Sequence, residues 1–401
     1  MKRKKLLNCS IILASGFVIN SHVYAVDDNI ALTFRTHYGQ VDRHFGAEDS
    51  EEMSFTAKLD YASDYYKDLI GFDASIYSVS KLYADKNTAR IPLLDENGDG
   101  FSKIGQANIK LKPNDNMTLR MGRMRIISPL MTDTDGRSEP GTREALRGDV
   151  QIGGAKLYGI YSTAAAASGY DSFEQYTDDG DAVVIVGGRY RFENGLGVHL
   201  AHGQLQDAKR QTFISGHYGI PVGEDNLDFD IYHYMAKGIG DQSNLADNPG
   251  SDGKLDTYLS NIVVAYSHKD LTYSLSYQRV GDDLYEPSWD GFNHDRSVLW
   301  TNNSVQILDF YSPQEESLQV RVDYAPSQIP GFTLMTRYTE GDYKDGDEKL
   351  KDSEFNLEAG YVVQTGVAKD LALKMRYADV EVGGVGNLED IRLIAEYGFS
   401  F

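Results

Sequence analysis

Seven charges of both signs crowd one short, irregular stretch of this chain. From Ile126 to Gly148 the sequence sets Asp133, Asp135, Glu139 and Glu144 against Arg137, Arg143 and Arg147. Pro129 and Pro140 remove backbone donors there, and Gly136, Gly141 and Gly148 loosen the chain, so the stretch reads as a loop. Two kinds of chemistry fit. One is an ordinary solvated surface loop. The other is a loop folded into a pore, where opposed charges create a transverse field that sorts passing solutes. What encloses the stretch decides between them.

Other constellations carry less. Asp95-Glu96-Asn97-Gly98-Asp99-Gly100 begins like a calcium-binding loop, but its twelfth position is Gln106 instead of a bidentate Glu, and no helices flank it. At most it implies an acidic loop that holds divalent ions weakly. His199 and His202 are three apart, which on a strand points them to opposite faces and argues against a shared metal. Serines and nine histidines occur without a G-x-S-x-G elbow or other nucleophile context, so no enzyme is expected. No cofactor or metal is implied.

The first residues place the chain outside the cytoplasm. Lys2, Arg3, Lys4 and Lys5 precede an apolar run from Leu6 to Val18, and Val23-Tyr24-Ala25 offers a cleavage site. This is the pattern of a secretory signal peptide over residues 1–25, followed by one domain over 26–401. Cleavage would remove Cys9, the single cysteine, so no disulfide is expected in the exported chain. It would also remove four positive charges from a formal total of −21. Such acidity argues against nucleic acid as a partner, because phosphate binding needs clustered Lys and Arg.

With 25% charged residues and no apolar run of about 20 residues after the signal, hydropathy alone suggests a soluble protein. The periodicity says otherwise. Met53, Phe55, Ala57, Leu59 and Tyr61 alternate with Ser54, Thr56, Lys58 and Asp60. Leu318, Val320, Val322 and Tyr324 alternate with Gln319, Arg321 and Asp323. Segments from Leu271, Phe355 and Leu371 repeat the pattern, and fainter versions begin near Ile30, Ile70, Gly105, Met117, Ala155, Val183, Leu196, Phe213, Leu227, Tyr258, Val305 and Phe332, with a last one from Ile391. Period two marks strands with unlike faces. The total is about 18, an even count as a membrane β-barrel requires.

Connections alternate in length. Short ones include 113–116, 193–195, 268–270 and 325–331; long ones include 80–103, 280–304 and 340–352. The apolar faces often terminate in tyrosine, at Tyr38, Tyr61, Tyr190, Tyr266, Tyr277, Tyr324, Tyr338, Tyr361, Tyr377 and Tyr397, which reads as an interfacial girdle at the short-turn ends. A soluble sandwich also alternates, but it would have to bury Lys58, Asp60, Arg321, Asp323, Glu358, Lys374 and Arg376 in its core. A water-filled lumen accepts them. The expected fold is therefore all-β, a transmembrane antiparallel barrel with an inward-folded constriction loop. Its expected place is the bacterial outer membrane, among outer-membrane lipid.

Parity and closure together gather five basic residues. Inward positions on the first two strands give Arg35 and Lys58; those on the last two give Lys374, Arg376 and Arg392. A closed barrel pairs its last strand with its first, so these five fall on four adjacent strands. A positive row there would draw anions along one wall. Alternatively, each base pairs with a wall carboxylate such as Asp60, Glu358 or Glu396. Arg120, Arg321 and Arg337 are further pore-lining candidates.

Certain residues also resemble a known family. Leu119-Arg120-Met121-Gly122, then Pro129-Leu130, then Asp135-x-Arg137-x-x-Pro140-x-Thr142 resembles the third-loop region of the OprD-type porins. Asn303, Asp309-Phe310, Glu315, Ser317, Gln319, Arg321, Asp323 and Tyr324, with Pro330-Gly331-Phe332 and Arg337-Tyr338, are similar to that family's late strands. One departure is Arg143-Glu144-Ala145-Leu146-Arg147, which intervenes before the closing Gly148. The resemblance implies an 18-stranded channel, often a homotrimer, with an inward third loop and a basic ladder guiding carboxylate-bearing solutes. The function expected is passive diffusion of small hydrophilic solutes such as amino acids, peptides or small carboxylates. A channel for chito-oligosaccharides is the alternative, with Trp289, Trp300, Tyr77, Tyr232 and Tyr234 as its greasy slide. A barrel adhesin or surface receptor using the acidic loops is the alternative of another class.

Overall fold

A computed structural model describes residues 29–85, 91–240, 255–290 and 294–401; the expected signal segment and Cys9 lie outside these. The chain runs through β1 (Asn29–Arg43), β2 (Ser50–Ala62), β3 (Ile70–Ala84), β4 (Phe101–Asn114) and β5 (Met117–Met124). A small hairpin follows, β6 (Ile127–Ser128) with β7 (Met131–Thr132), and then β8 (Thr142–Ile152), β9 (Ala155–Ala166) and the two-residue β10 (Glu174–Gln175). The second half comprises β11 (Val183–Arg191), β12 (Gly197–Leu205), β13 (Lys209–Val222), β14 (Asp225–Gly238), β15 (Asp256–His268) and β16 (Leu271–Val280). It closes with β17 (Glu316–Tyr324), β18 (Phe332–Asp345), β19 (Glu348–Val362), β20 (Ala372–Val382) and β21 (Gly386–Ser400). Leaving aside β6, β7 and β10, 18 antiparallel strands form one closed wall. β1 pairs with β21 from Ala31 opposite Ser400 to Arg43 opposite Leu388. Closure leaves no edge strand with a row of unpaired backbone groups, as a lipid setting demands.

The alternation sorts cleanly by face. Leu59, Ile76, Leu275, Val320 and Leu393 are exposed on the outside, whereas Thr56, Ser75, Ser276, Gln319 and Arg392 are buried on the inside. Connections at one end run from two residues, as at 153–154, 223–224 and 269–270, to nine at 363–371. At the other end lie long segments, including 125–141 and the connection from β16 to β17, described over 281–290 and 294–315.

Four expectations need correction. No strand begins at Val305, which lies within the connection from β16 to β17. A wall strand does run over Thr142–Ile152, inside what read as irregular loop; its inward Arg143, Arg147 and Asp149 mask the alternation. The supposed long connection 340–352 is two strands joined by Gly346 and Asp347, with Gly346 at φ 62°. Above the lipid both faces are wet, so hydropathy no longer alternates there. Finally, the tyrosines form two belts instead of one. Tyr61, Tyr190, Tyr266, Tyr324, Tyr361 and Tyr397 sit near the short turns, whereas Tyr38, Tyr277, Tyr338 and Tyr377 sit toward the loop end. Tyr61 lies opposite Ile30 and Tyr38 lies opposite Met53. Eight residues of β1 therefore separate the belts, roughly 26 Å of strand, which spans the apolar band of an outer-membrane barrel (~25 Å). The belt hydroxyls meet wet carboxylates: Tyr38 donates to Glu51 at 2.9 Å and Tyr338 to Glu340 at 2.8 Å.

Candidate functional site

The connection 125–141, between β5 and β8, folds inward and reaches the wall at β1 and β2. Its tip is Asp135-Gly136-Arg137. Asp135 lies 2.6 Å from Arg35, 3.4 Å from Lys58 and 3.9 Å from Arg125. Burial alone would raise its pKa, but Arg35, Lys58 and Arg125 overcome that and hold it at about 2. Arg35 also donates to the Arg137 carbonyl at 2.8 Å and pairs with Glu396 at 2.5 Å. Lys58 sits 3.6 Å from the same Glu396.

Not every charge of the stretch points into the opening. Glu139 is fully buried against Lys103 at 3.1 Å and accepts the Gly169 amide, so it fastens the loop to the wall. Asp133 and Arg143 form another internal pair at 2.9 Å. Arg143, Glu144 and Arg147 belong to β8 and not to the loop, which also accounts for the extra residues before Gly148. Glu144 pairs outward with Arg123 at 3.0 Å. Arg147 faces inward, opposite Arg120, and is held by Asp149 at 2.8 Å. Of the seven residues expected at the constriction, Asp135 and Arg137 form its tip. The partners that withdraw Glu139 and Arg143 come from distant strands and loops, and no local pattern signals them.

Facing the tip is a wall in which six of seven consecutive strands carry inward bases. In barrel order they are Arg321 on β17, Arg337 on β18, Lys374 and Arg376 on β20, Arg392 on β21, Arg35 on β1 and Lys58 on β2. Most are tied down: Arg321 to Asp323 at 2.6 Å, Arg376 and Lys374 to Glu358 at 3.0 and 3.8 Å, and Arg392 to Asp390 at 2.8 Å. Asp60 accepts from Ser75 at 2.5 Å. Two guanidiniums differ. Arg337 gives its Nε to Asn356 at 2.7 Å, but its Nη1 and Nη2 have no hydrogen-bond partner among the described residues. Arg137 makes no side-chain hydrogen bond or ion pair among the described residues, and its charged neighbours are Arg392, Asp390, Arg296 and Arg376. Sequence reasoning missed Arg125, one residue outside the segment weighed, and Arg296, on a loop with no period to read.

A barrel of this build, with a charged segment folded across its lumen, is known. Residues 23–401 match the family described as "outer membrane porin, OprD family". This chain belongs to that family. It is 27% identical to Porin D of Pseudomonas aeruginosa over 93% of this chain and 91% of that one. Among solved structures, a BenF-like porin from Pseudomonas fluorescens Pf-5 superposes with a TM-score of 0.82 at 23% identity, covering 94% of this chain and 99% of the other. OpdK of P. aeruginosa, solved with vanillate, gives 0.81 at 22% over the same shares. The chain is an outer-membrane β-barrel porin, and its family members are channels for small solutes.

Below the constriction this OprD-family barrel encloses a cavity of about 680 Å³ against β8, β9 and β11–β14. Tyr158, His199, Tyr232 and Trp300 line it beside Arg147 and Arg189. Trp300 hangs from the third loop by its indole, 2.9 Å from Thr132. Trp289 is fully buried among core residues and cannot belong to a lumen slide. Tyr77 and Tyr234 are inward but covered. Tyr77 lies flat over Gly105, where a Cβ would come 2.0 Å from its ring. His199 bonds Tyr158 inside while His202 bonds Thr212 on the exposed face, as their spacing requires. Among the described residues no His, Cys, Asp and Glu group is arranged to hold a metal. The Asp95 carboxylate accepts the amides of Asn97 and Asp99.

Proposed function

We propose that this porin is a passive, substrate-preferring channel for small hydrophilic solutes that carry a carboxylate, such as amino acids, peptides or small organic acids. The observation that carries this reading is Arg137 at the loop tip, a guanidinium with no side-chain partner among the described residues, set beside Arg376 and Arg392 of the wall. A guanidinium left without a carboxylate partner is open to bidentate contact with a passing carboxylate. OpdK, a structural neighbour, was solved with vanillate, itself a carboxylate; only its fold is shared at 22% identity. A sugar slide is disfavoured by the loss of Trp289 to the core. We further propose that residues 1–25 are removed on export, that residues 26–401 act as one barrel domain, and that the barrels associate as homotrimers. Swelling of proteoliposomes with matched neutral, cationic and carboxylate solutes tests the preference. Fastest swelling with carboxylates is expected, and equal rates across the panel would remove the claim.

A further inference from the structure

A loop of 17 residues crossing a wet lumen loses on the order of 1–2 kcal/mol per residue in backbone entropy when ordered, so its position must be imposed by contacts. Two holdfasts are on the wall, at Asp135 with Arg35 and at Glu139 with Lys103. A third is of another kind, because it comes from the loop-end connection between β16 and β17. We propose that this connection clamps the stem of the constriction loop, with Arg143 as the positioning residue that sets whether the channel stays open.

Every nitrogen of the Arg143 guanidinium is engaged. Nε donates to Asp133 of the loop stem at 2.9 Å, and Nη1 donates to the Tyr176 hydroxyl at 3.0 Å. Nη2 donates to Asp295 at 2.7 Å and to Ser297 at 3.1 Å, both in the clamping connection. The Asp133 carboxylate in turn accepts the Ile126 amide at 2.7 Å, which closes the stem on itself. Asp295 accepts the Trp289 amide at 2.9 Å. Two indoles complete the clamp. Trp289 donates to the Leu130 carbonyl at 2.7 Å and Trp300 to the Thr132 hydroxyl at 2.9 Å. Around them Ile126, Leu130, Met131, Trp289 and Leu299 share one buried apolar cluster.

One buried cation thus stands between two buried carboxylates from segments more than 150 residues apart. Without it, Asp133 and Asp295 would face each other uncompensated, and stem and connection would separate. The tip charges lie outside the clamp, Asp135 paired with Arg35 and Lys58 and Arg137 without a side-chain partner among the described residues, so loss of the clamp should let the loop swing without changing which ions the open channel prefers. The inference rests on the channel reading alone and is independent of any preference for carboxylates.

Single-channel recording in planar bilayers separates the two. Arg143→Gln and Asp295→Asn should raise the frequency of brief closures by about tenfold, with the reversal potential under a salt gradient unchanged. Arg143→Lys should recover part of the quiet state, since an ammonium reaches one carboxylate but not both partners. Should Arg143→Gln fail to insert, Trp289→Phe keeps the packing and deletes one hydrogen bond, with roughly a threefold rise expected. Wild-type closure frequency in folded Arg143→Gln, Asp295→Asn or Trp289→Phe would overturn the clamp. A shifted reversal potential without added closures would also overturn it, by placing Arg143 in the permeation path.

Discussion

Arg376 stands directly opposite Arg392 across the β20–β21 ladder, both facing the lumen. Like charges at directly opposed positions destabilise a sheet by roughly 0.2–1 kcal/mol, and here each is offset by a carboxylate, Glu358 at 3.0 Å and Asp390 at 2.8 Å. On the proposed reading, the opposed pair serves transport and not the stability of the sheet. Arg376→Gln leaves Glu358 with Lys374 and relieves the opposed pair. Its unfolding free energy should lie within about 1 kcal/mol of wild type, while the anion-to-cation permeability ratio falls. Denaturant titration and reversal potentials read the two effects separately.

Asp135→Asn should act in the opposite direction. It removes the one loop carboxylate beside Arg35 and Lys58, leaving Glu396 as their shared partner. The anion-to-cation ratio should rise. In the wild type, the depressed pKa of about 2 means the stabilisation from Asp135 is present above the ordinary carboxylate range and lost only as pH falls through about 2. The loop tip should therefore stay docked at pH 4, which conductance at pH 4 and pH 7 can check.

Lys103 and Glu139 are the most completely buried ion pair at the constriction. Glu139→Gln leaves the buried ammonium with only the Ala167 and Tyr170 carbonyls and no counter-charge, and should cost about 3–5 kcal/mol, seen as a lower denaturation midpoint. Replacing both residues together with Met and Leu should recover most of the loss, since neither charge remains to be satisfied.

The clamp should weaken with rising pH. Burial first, and then the charge of Asp295, push Asp290 up to about 7. Its carboxyl accepts the amides of His294 and Asp295, with Arg143 as the nearby cation. His294 lies 3.7 Å from Glu174 across the adjoining loop. A raised carboxylate favours the folded state below its unfolded pKa of about 4, and that contribution is lost as pH climbs toward 7. Closures should be more frequent at pH 8 than at pH 5, and Asp290→Asn should flatten the dependence. An equal slope in the variant would contradict the role given to Asp290.

The barrel was legible because period-two alternation survives wherever lipid meets one face and water the other. Leu318 to Tyr324 and Met53 to Tyr61 show it plainly. β8 was not legible, since Thr142-Arg143-Glu144 reads as loop when its outward Glu144 is charged and paired with Arg123. The basic wall followed from parity and closure, two properties of the strand itself. Glu139 and Arg143 were misplaced because burial is decided by partners, Lys103 and Asp295, that nothing near them in the sequence announces. Tyrosine height failed for a related reason: strand parity gives the face but not the distance from the turn.

The central claim is that a wet tunnel is narrowed between Arg137 on the loop and a basic wall that includes Arg337. The most direct measurement is the reversal potential of single channels under a potassium chloride gradient, for wild type and for Arg137→Gln with Arg337→Gln. The account predicts stepwise, anion-preferring conductance in the wild type and a clear shift toward cations in the double variant. Identical reversal potentials, or folded protein that gives no steps, would contradict it.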